Sequence, residues 1–173
     1  MYEDPASTAT DPQLEALGSS LADLHALLCE KRPARVEAAT SGRILTCVLE
    51  GGLTSQEAYL IELGHGPKVR AFREELFKAA GDNLTSLIAT VTGRSVSAWV
   101  PVFEPQSELT TLVFVLDAPA ETLGDSGEAL AAWATQVRRR SKSLRELHSH
   151  HVRRQHELAA ELKTRRLARE KGS

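Results

Sequence analysis

From Glu128 to Lys171 the chain contains neither proline nor glycine. Without a helix breaker over such a stretch, and with apolar residues at Leu130, Trp133, Val137, Leu144, Leu147, Leu158 and Leu162, residues 128–171 read as one very long helix. The same region holds the chain's positive charge. Residues 138–173 carry twelve Lys or Arg against four Glu, a local excess of +8, which leaves −10 for the rest although the whole chain sums to −2. Polar residues near Arg140, His151 and Arg154 interrupt the apolar seam. The pattern predicts a helix that packs on a domain at its start and is solvated, or coiled with a partner, further on.

The remainder has the size of one domain. Apolar residues are 42% and aromatics only 5%, so the core must be built mainly from Leu, Val, Ile and Ala. No apolar run approaches the roughly 18–20 residues needed to span a bilayer. The start, MYEDPASTATDP, is polar and acidic. It has no basic segment followed by an apolar one, so no secretory signal is expected and the predicted location is cytoplasmic, either free or peripheral to the inner face of the membrane. Cys29 and Cys47 have no CxxC spacing and are expected as reduced, inert thiols.

Residues 1–10 read as disordered, and residues 11–32 as a helix opened by Asp11-Pro12 and closed by Pro33. Its Leu14, Leu17, Leu21, Leu24 and Leu28 form a heptad-like seam that suits either its own domain or a second copy. A strand is expected over 42–52, with Leu45, Cys47 and Leu49 on one face and Ile44, Thr46, Val48 and Glu50 on the other. Gly51-Gly52 stops it. Thr54-Ser55-Gln56-Glu57 is a capping box for a short helix over 55–63. Val69, Phe72, Leu76, Ala80, Leu84, Leu87 and Val91 stay in one register, which predicts a single helix over 67–92 with a weak point at Gly81. Two strands follow. Residues 95–103 contain Pro101 and so belong at an edge, and the nearly all-apolar 109–117 belongs in the centre. Residues 119–127 read as a linker.

Within this stretch the GGLTSQE turn into a helix, the helix VRAFREELF, the TGRSV turn and the strand LVFVLD resemble the MpsC-like domain family, over about residues 35–118. That family is named for a component of a sodium-translocating, membrane-potential-generating system. The resemblance implies a link to membrane ion or inorganic-carbon transport in bacteria. Its motifs are caps, turns and core positions, so they imply a fold more than an activity.

No residue pattern points to catalysis. There is no GxSxG or HExxH, Gly51-Gly52 and Gly64-His65-Gly66 lack the phosphate-loop patterns, and no cofactor is expected. His148 and His151, three apart on a helix, could share a metal only with further ligands, which are not placed beside them. Arg70 and Arg73 are expected in exposed pairs with Glu74 and Glu75. The basic surface comprises Arg138, Arg139, Arg140, Lys142, Arg145, Arg153, Arg154, Arg165, Arg166 and Arg169. It suits a protein partner, an anionic membrane surface or a nucleic-acid backbone, but carries no aromatics for base stacking.

The expectation is therefore an α+β domain, a three-stranded and mostly antiparallel sheet covered by one long helix. The helices over 11–32 and 128–173 would form a coiled-coil appendage. Leu14, Leu17, Leu21, Leu24, Leu28, Val137, Leu144, Leu147, Leu158 and Leu162 would make the interface of a homodimer or higher homo-oligomer. The expected function is a non-enzymatic accessory protein that self-associates and docks on a partner, with a nucleic-acid-binding regulator as the alternative.

Overall fold

A computed structural model describes residues 12–117, 131–132, 135 and 141–171. Nine elements occur among them: α1 (Pro12–Cys29), β1 (Arg35–Ser41), β2 (Ile44–Glu50), α2 (Ser55–Glu62), α3 (Gly66–Ala79), α4 (Gly81–Thr92), β3 (Val96–Glu104), β4 (Leu109–Leu116) and α5 (Ser141–Lys171). The expectations of a disordered start over 1–10, of a linker over 119–127 and of a helix beginning at Glu128 fall outside the described residues, as do Val137, Arg138, Arg139 and Arg140.

The sheet is antiparallel throughout and has four strands in the order β1-β2-β4-β3, not three. The strand that the sequence hid is RVEAATS. It has charged and small residues on its exposed positions, so its alternation is faint, and what defines it is hydrogen bonding to β2 through a tight turn at Gly42, where φ is +58°. Pro101 does lie on an edge strand and β4 is central, as expected.

Cross-strand register sorts the side chains onto two faces. Inward, Ala38, Cys47, Leu112 and Pro101 form one row, and Thr40, Leu45, Phe114 and Trp99 another. These rows meet Leu17, Leu21, Leu24 and Leu28 of α1 and Leu84, Leu87, Ile88 and Val91 of α4 in one continuous core. Outward, Thr46, Val113 and Val100 align, flanked by Ile44, Val115 and Ala98 on one side and by Val48, Thr111 and Val102 on the other. Ile44, Val100 and Val102 are 38%, 48% and 46% exposed.

Two expectations are corrected here. The leucine seam of α1 is not part of an appendage: Leu17, Leu21, Leu24 and Leu28 are each at most 1% exposed inside the chain's own core, with Leu14 partly buried beside them. At Gly18 the helix faces β1, where a Cβ would stand 3.7 Å from the Val36 side chain, an ordinary packing distance.

The single helix over 67–92 is instead two. Ala80, with ψ of 11°, donates its N–H to both Leu76 and Phe77 carbonyls, and α4 restarts at Gly81. The apolar register survives the break, which is why periodicity did not reveal it. The break seats the Trp99 indole, whose Cζ2 would lie 3.0 Å from a Cβ at position 81.

Candidate docking groove

The turn between β2 and α2 is organised by a residue that lies far along the chain. Arg73 of α3 is fully buried and meets the carboxylate of Glu57 in a two-pronged contact, Nε to Oε1 and Nη2 to Oε2, both 2.6 Å. Its Nη2 also donates to the Gly52 carbonyl at 2.7 Å, and its Nη1 lies 2.9 Å from His25 Nε2. The guanidinium stacks over Phe103 at 5.2 Å. All three nitrogens of the planar fork, Nε, Nη1 and Nη2, are thus engaged, as a buried arginine requires. The expectation of an exposed Arg73 is wrong because position 73 stands four residues after Val69 and three before Leu76, within the buried stripe. Arg70 is exposed, but its partner is Glu104 of β3 at 2.5 Å, not a neighbour on its own helix.

His25 completes the cluster. Its Nδ1–H donates to the Lys31 carbonyl at 2.7 Å, which leaves Nε2 as the acceptor for Arg73. Burial, and then the adjacent Arg73 charge, lower its pKa to about 4. The Thr54–Glu57 capping box forms as expected, with Glu57 N–H donating to Thr54 Oγ1 and Thr54 N–H to Glu57 Oε2. Glu57 therefore serves the helix cap and the arginine together. The cluster is closed to solvent, with Arg73, Glu57 and His25 at most 1% exposed, so no substrate reaches it; its effect is to lock α1, α2 and α3 together. Burial pushes the Cys29 and Cys47 thiols up to about 12, and they are free and buried.

On the frame so fixed, α5 packs against α1, α2 and α3. Leu158, Ala159 and Leu162 cover a second small core of Leu53, Leu60, Val69 and Phe103. Gln155 is 1% exposed, His156 shares a hydrogen bond of 3.0 Å with Gln56, and the Arg154 guanidinium lies 5.5 Å over the Phe72 ring. This half of the basic helix is docked on its own domain, so Leu158 and Leu162 face inward within the chain. Leu144, Leu147, Lys142, Arg145 and Arg169 fall on α5 with side chains outside the description, as do His148 and His151. Among the described residues, no three His, Cys, Asp or Glu converge as metal ligands would.

Where the end of α5 passes the end of α2, the two leave an open groove of about 760 Å³. Tyr59, Leu63 and His65 line one side; Leu162, Lys163, Arg165, Arg166 and Leu167 line the other. Tyr59 and Leu167 are 45% and 48% exposed. Arg165 pairs with Glu161 at 2.6 Å on the surface, a contact worth little in water. The groove joins exposed apolar surface to a row of cations. Sequence reading had found Leu162, Arg165 and Arg166, but not Tyr59 or Leu167, whose pairing depends on two helices a hundred residues apart in the chain. Among the described residues no helix is long and apolar enough to cross a membrane.

No curated protein and no solved structure matches the chain. The family model described as Na+-translocating membrane potential-generating system (MpsC) matches residues 14–118, which is more than half of the chain and takes in α1 as well as the sheet and α2 to α4. The protein belongs to the MpsC family.

Proposed function

We propose that this protein is a non-enzymatic accessory subunit that docks on a membrane component of the ion-translocating system to which its family is tied. Residence at the cytoplasmic face of the membrane follows from that reading. The observation that carries it is the groove, where Tyr59, Leu162 and Leu167 stand beside Lys163, Arg165 and Arg166. Apolar surface rimmed by cations fits an acidic amphipathic segment of a protein partner: apolar side chains enter the groove while carboxylates meet the rim. The basic wall of the groove belongs to α5, which lies beyond the family match, while Tyr59, Leu63 and His65 lie within it, so docking would join the family fold to this chain's own addition. Self-association is part of the same reading, and it needs a surface other than Leu17, Leu21, Leu24 and Leu28, which are spent in the core.

The test places a photo-crosslinking phenylalanine analogue at position 59 of the full chain in its host. Cells are fractionated with and without nuclease, and the crosslinked species is identified by mass spectrometry. A crosslink to a membrane subunit that resists nuclease and is lost in Lys163→Glu/Leu167→Asp supports the proposal. Release of the protein from a large soluble species by nuclease, with no membrane crosslink, would overturn it in favour of nucleic-acid binding.

A further inference from the structure

The region that the family model matches ends in an apolar seat. Leu53, Leu60, Val69 and Phe103 form it, and the buried Arg73–Glu57 pair behind them fixes α2 against α3. What fills the seat comes from outside the matched region. Leu158, Ala159 and Leu162 of α5 pack on it, and with the buried Gln155 they fall on one face of the helix. Their spacing is i, i+3, i+4 and i+7, the pattern by which an amphipathic helix enters a groove.

For that seat α5 is a poor match. Two of the four positions are leucines, and the other two are a glutamine and an alanine. Among the described side chains of α5, Gln155 alone is buried, Leu158, Ala159 and Leu162 are partly covered, and the others are exposed. Two further attachments lie at the surface: His156 meets Gln56 at 3.0 Å, and the Arg154 guanidinium lies 5.5 Å over Phe72. Contacts of this kind hold weakly where water competes for the same groups.

We propose that the seat is a receptor for an amphipathic helix of a partner protein, and that α5 is a resident stand-in which the partner's helix displaces. The chemistry that the seat selects is read from α5 itself. It takes side chains at i, i+3, i+4 and i+7, with a cation just before the first to lie over Phe72. A helix with leucine where α5 has Gln155 is the better ligand, since it enters without burying an amide. The inference goes beyond the groove reading and does not rest on it: the groove needs α5 docked, and the seat needs it released.

The probe is a fluorescein-labelled peptide of residues 150–167 carrying Gln155→Leu, titrated with the purified full chain and read by fluorescence anisotropy. In the wild-type chain α5 holds the seat, so the apparent affinity is reduced by the fraction of molecules in which the seat is open. Leu158→Ser/Leu162→Ser in the chain vacates the seat and should tighten peptide binding by at least about tenfold. The same two changes made in the peptide keep its charge and should abolish binding. Equal affinity for the wild type and the variant, or no binding to the variant, overturns the proposal. Equal binding of the two peptides overturns it as well, because charge alone would then hold them.

Hydrogen exchange on the wild-type chain needs no variant. Amides over residues 153–163 should show at least about a hundredfold less protection than those of β4 and α4, because α5 opens without unfolding the domain. Exchange of α5 in step with β4 would make the helix an integral part of the core and would overturn the proposal, even if the variant chain fails to fold.

Discussion

Arg73 and Glu57 meet through two parallel hydrogen bonds of 2.6 Å in a site sealed from water. Sixteen residues separate them in the chain, and their contact ties the first turn of α2 to the middle of α3. Because Glu57 also caps α2 and Arg73 also holds Gly52 and His25, the pair sets the course of the β2–α2 turn and the position of the α2 wall of the groove.

Arg73→Met should destabilise the protein by about 3–5 kcal/mol, since it leaves a buried carboxylate without its counter-ion. Adding Glu57→Gln should recover part of that loss by removing the stranded charge. Urea denaturation of the two single variants and the double variant reads the coupling directly. Strictly additive losses would show that the pair is not coupled in the folded state.

Stability should fall between about pH 6.5 and pH 4. His25 has its pKa lowered to about 4 in the folded chain, against about 6.5 when unfolded. Between those values the unfolded state binds the extra proton, so the stabilisation is complete above about pH 6.5 and declines as pH drops toward 4. The full effect is on the order of 3 kcal/mol. In His25→Gln the slope over this window should flatten, as measured by urea midpoints at a series of pH values.

Gly52→Ala should cost about 2 kcal/mol or more. The residue sits at φ +86°, and a Cβ would meet His25 Cε1 at 2.6 Å. Gly42→Ala, at φ +58° with nothing within 4 Å, suffers only the backbone strain and should lose less. Thermal melts of both variants make the comparison, and equal losses would mean that the His25 contact contributes nothing.

Leu24→Ala should lower stability by about 2–5 kcal/mol, because Leu24 is 1% exposed in the core. Leu167→Ala, on the rim of the groove and 48% exposed, should change it by less than about 0.5 kcal/mol. A small effect at Leu24 in denaturant unfolding would return the leucine seam to an interface role.

Local patterns were legible wherever the chain's own neighbours decide the structure. The Thr54–Glu57 cap, the strand with Leu45, Cys47 and Leu49 on one face and the edge position implied by Pro101 all depend on residues a few positions apart. The family was legible on the same motifs. β1 was not, because RVEAATS has weak alternation and owes its existence to the hydrogen bonds it shares with β2. The break at Ala80 was hidden for a related reason: the apolar register on either side is continuous, and Trp99, which packs against the restart at Gly81, comes from a strand.

By itself, then, the sequence determined the α+β class, most element boundaries and the division between an acidic domain and a basic helix, since those follow from periodicity, capping and charge within short windows. Only the tertiary structure decided that the leucine seam is core, that Arg73 is buried, that Leu158 and Leu162 pack in cis and that Tyr59 faces Leu167. Each of those depends on which surfaces meet after the chain has folded back on itself. An arginine written beside two glutamates looks solvated until a carboxylate, a carbonyl and an imidazole from elsewhere in the chain engage all three of its side-chain nitrogens.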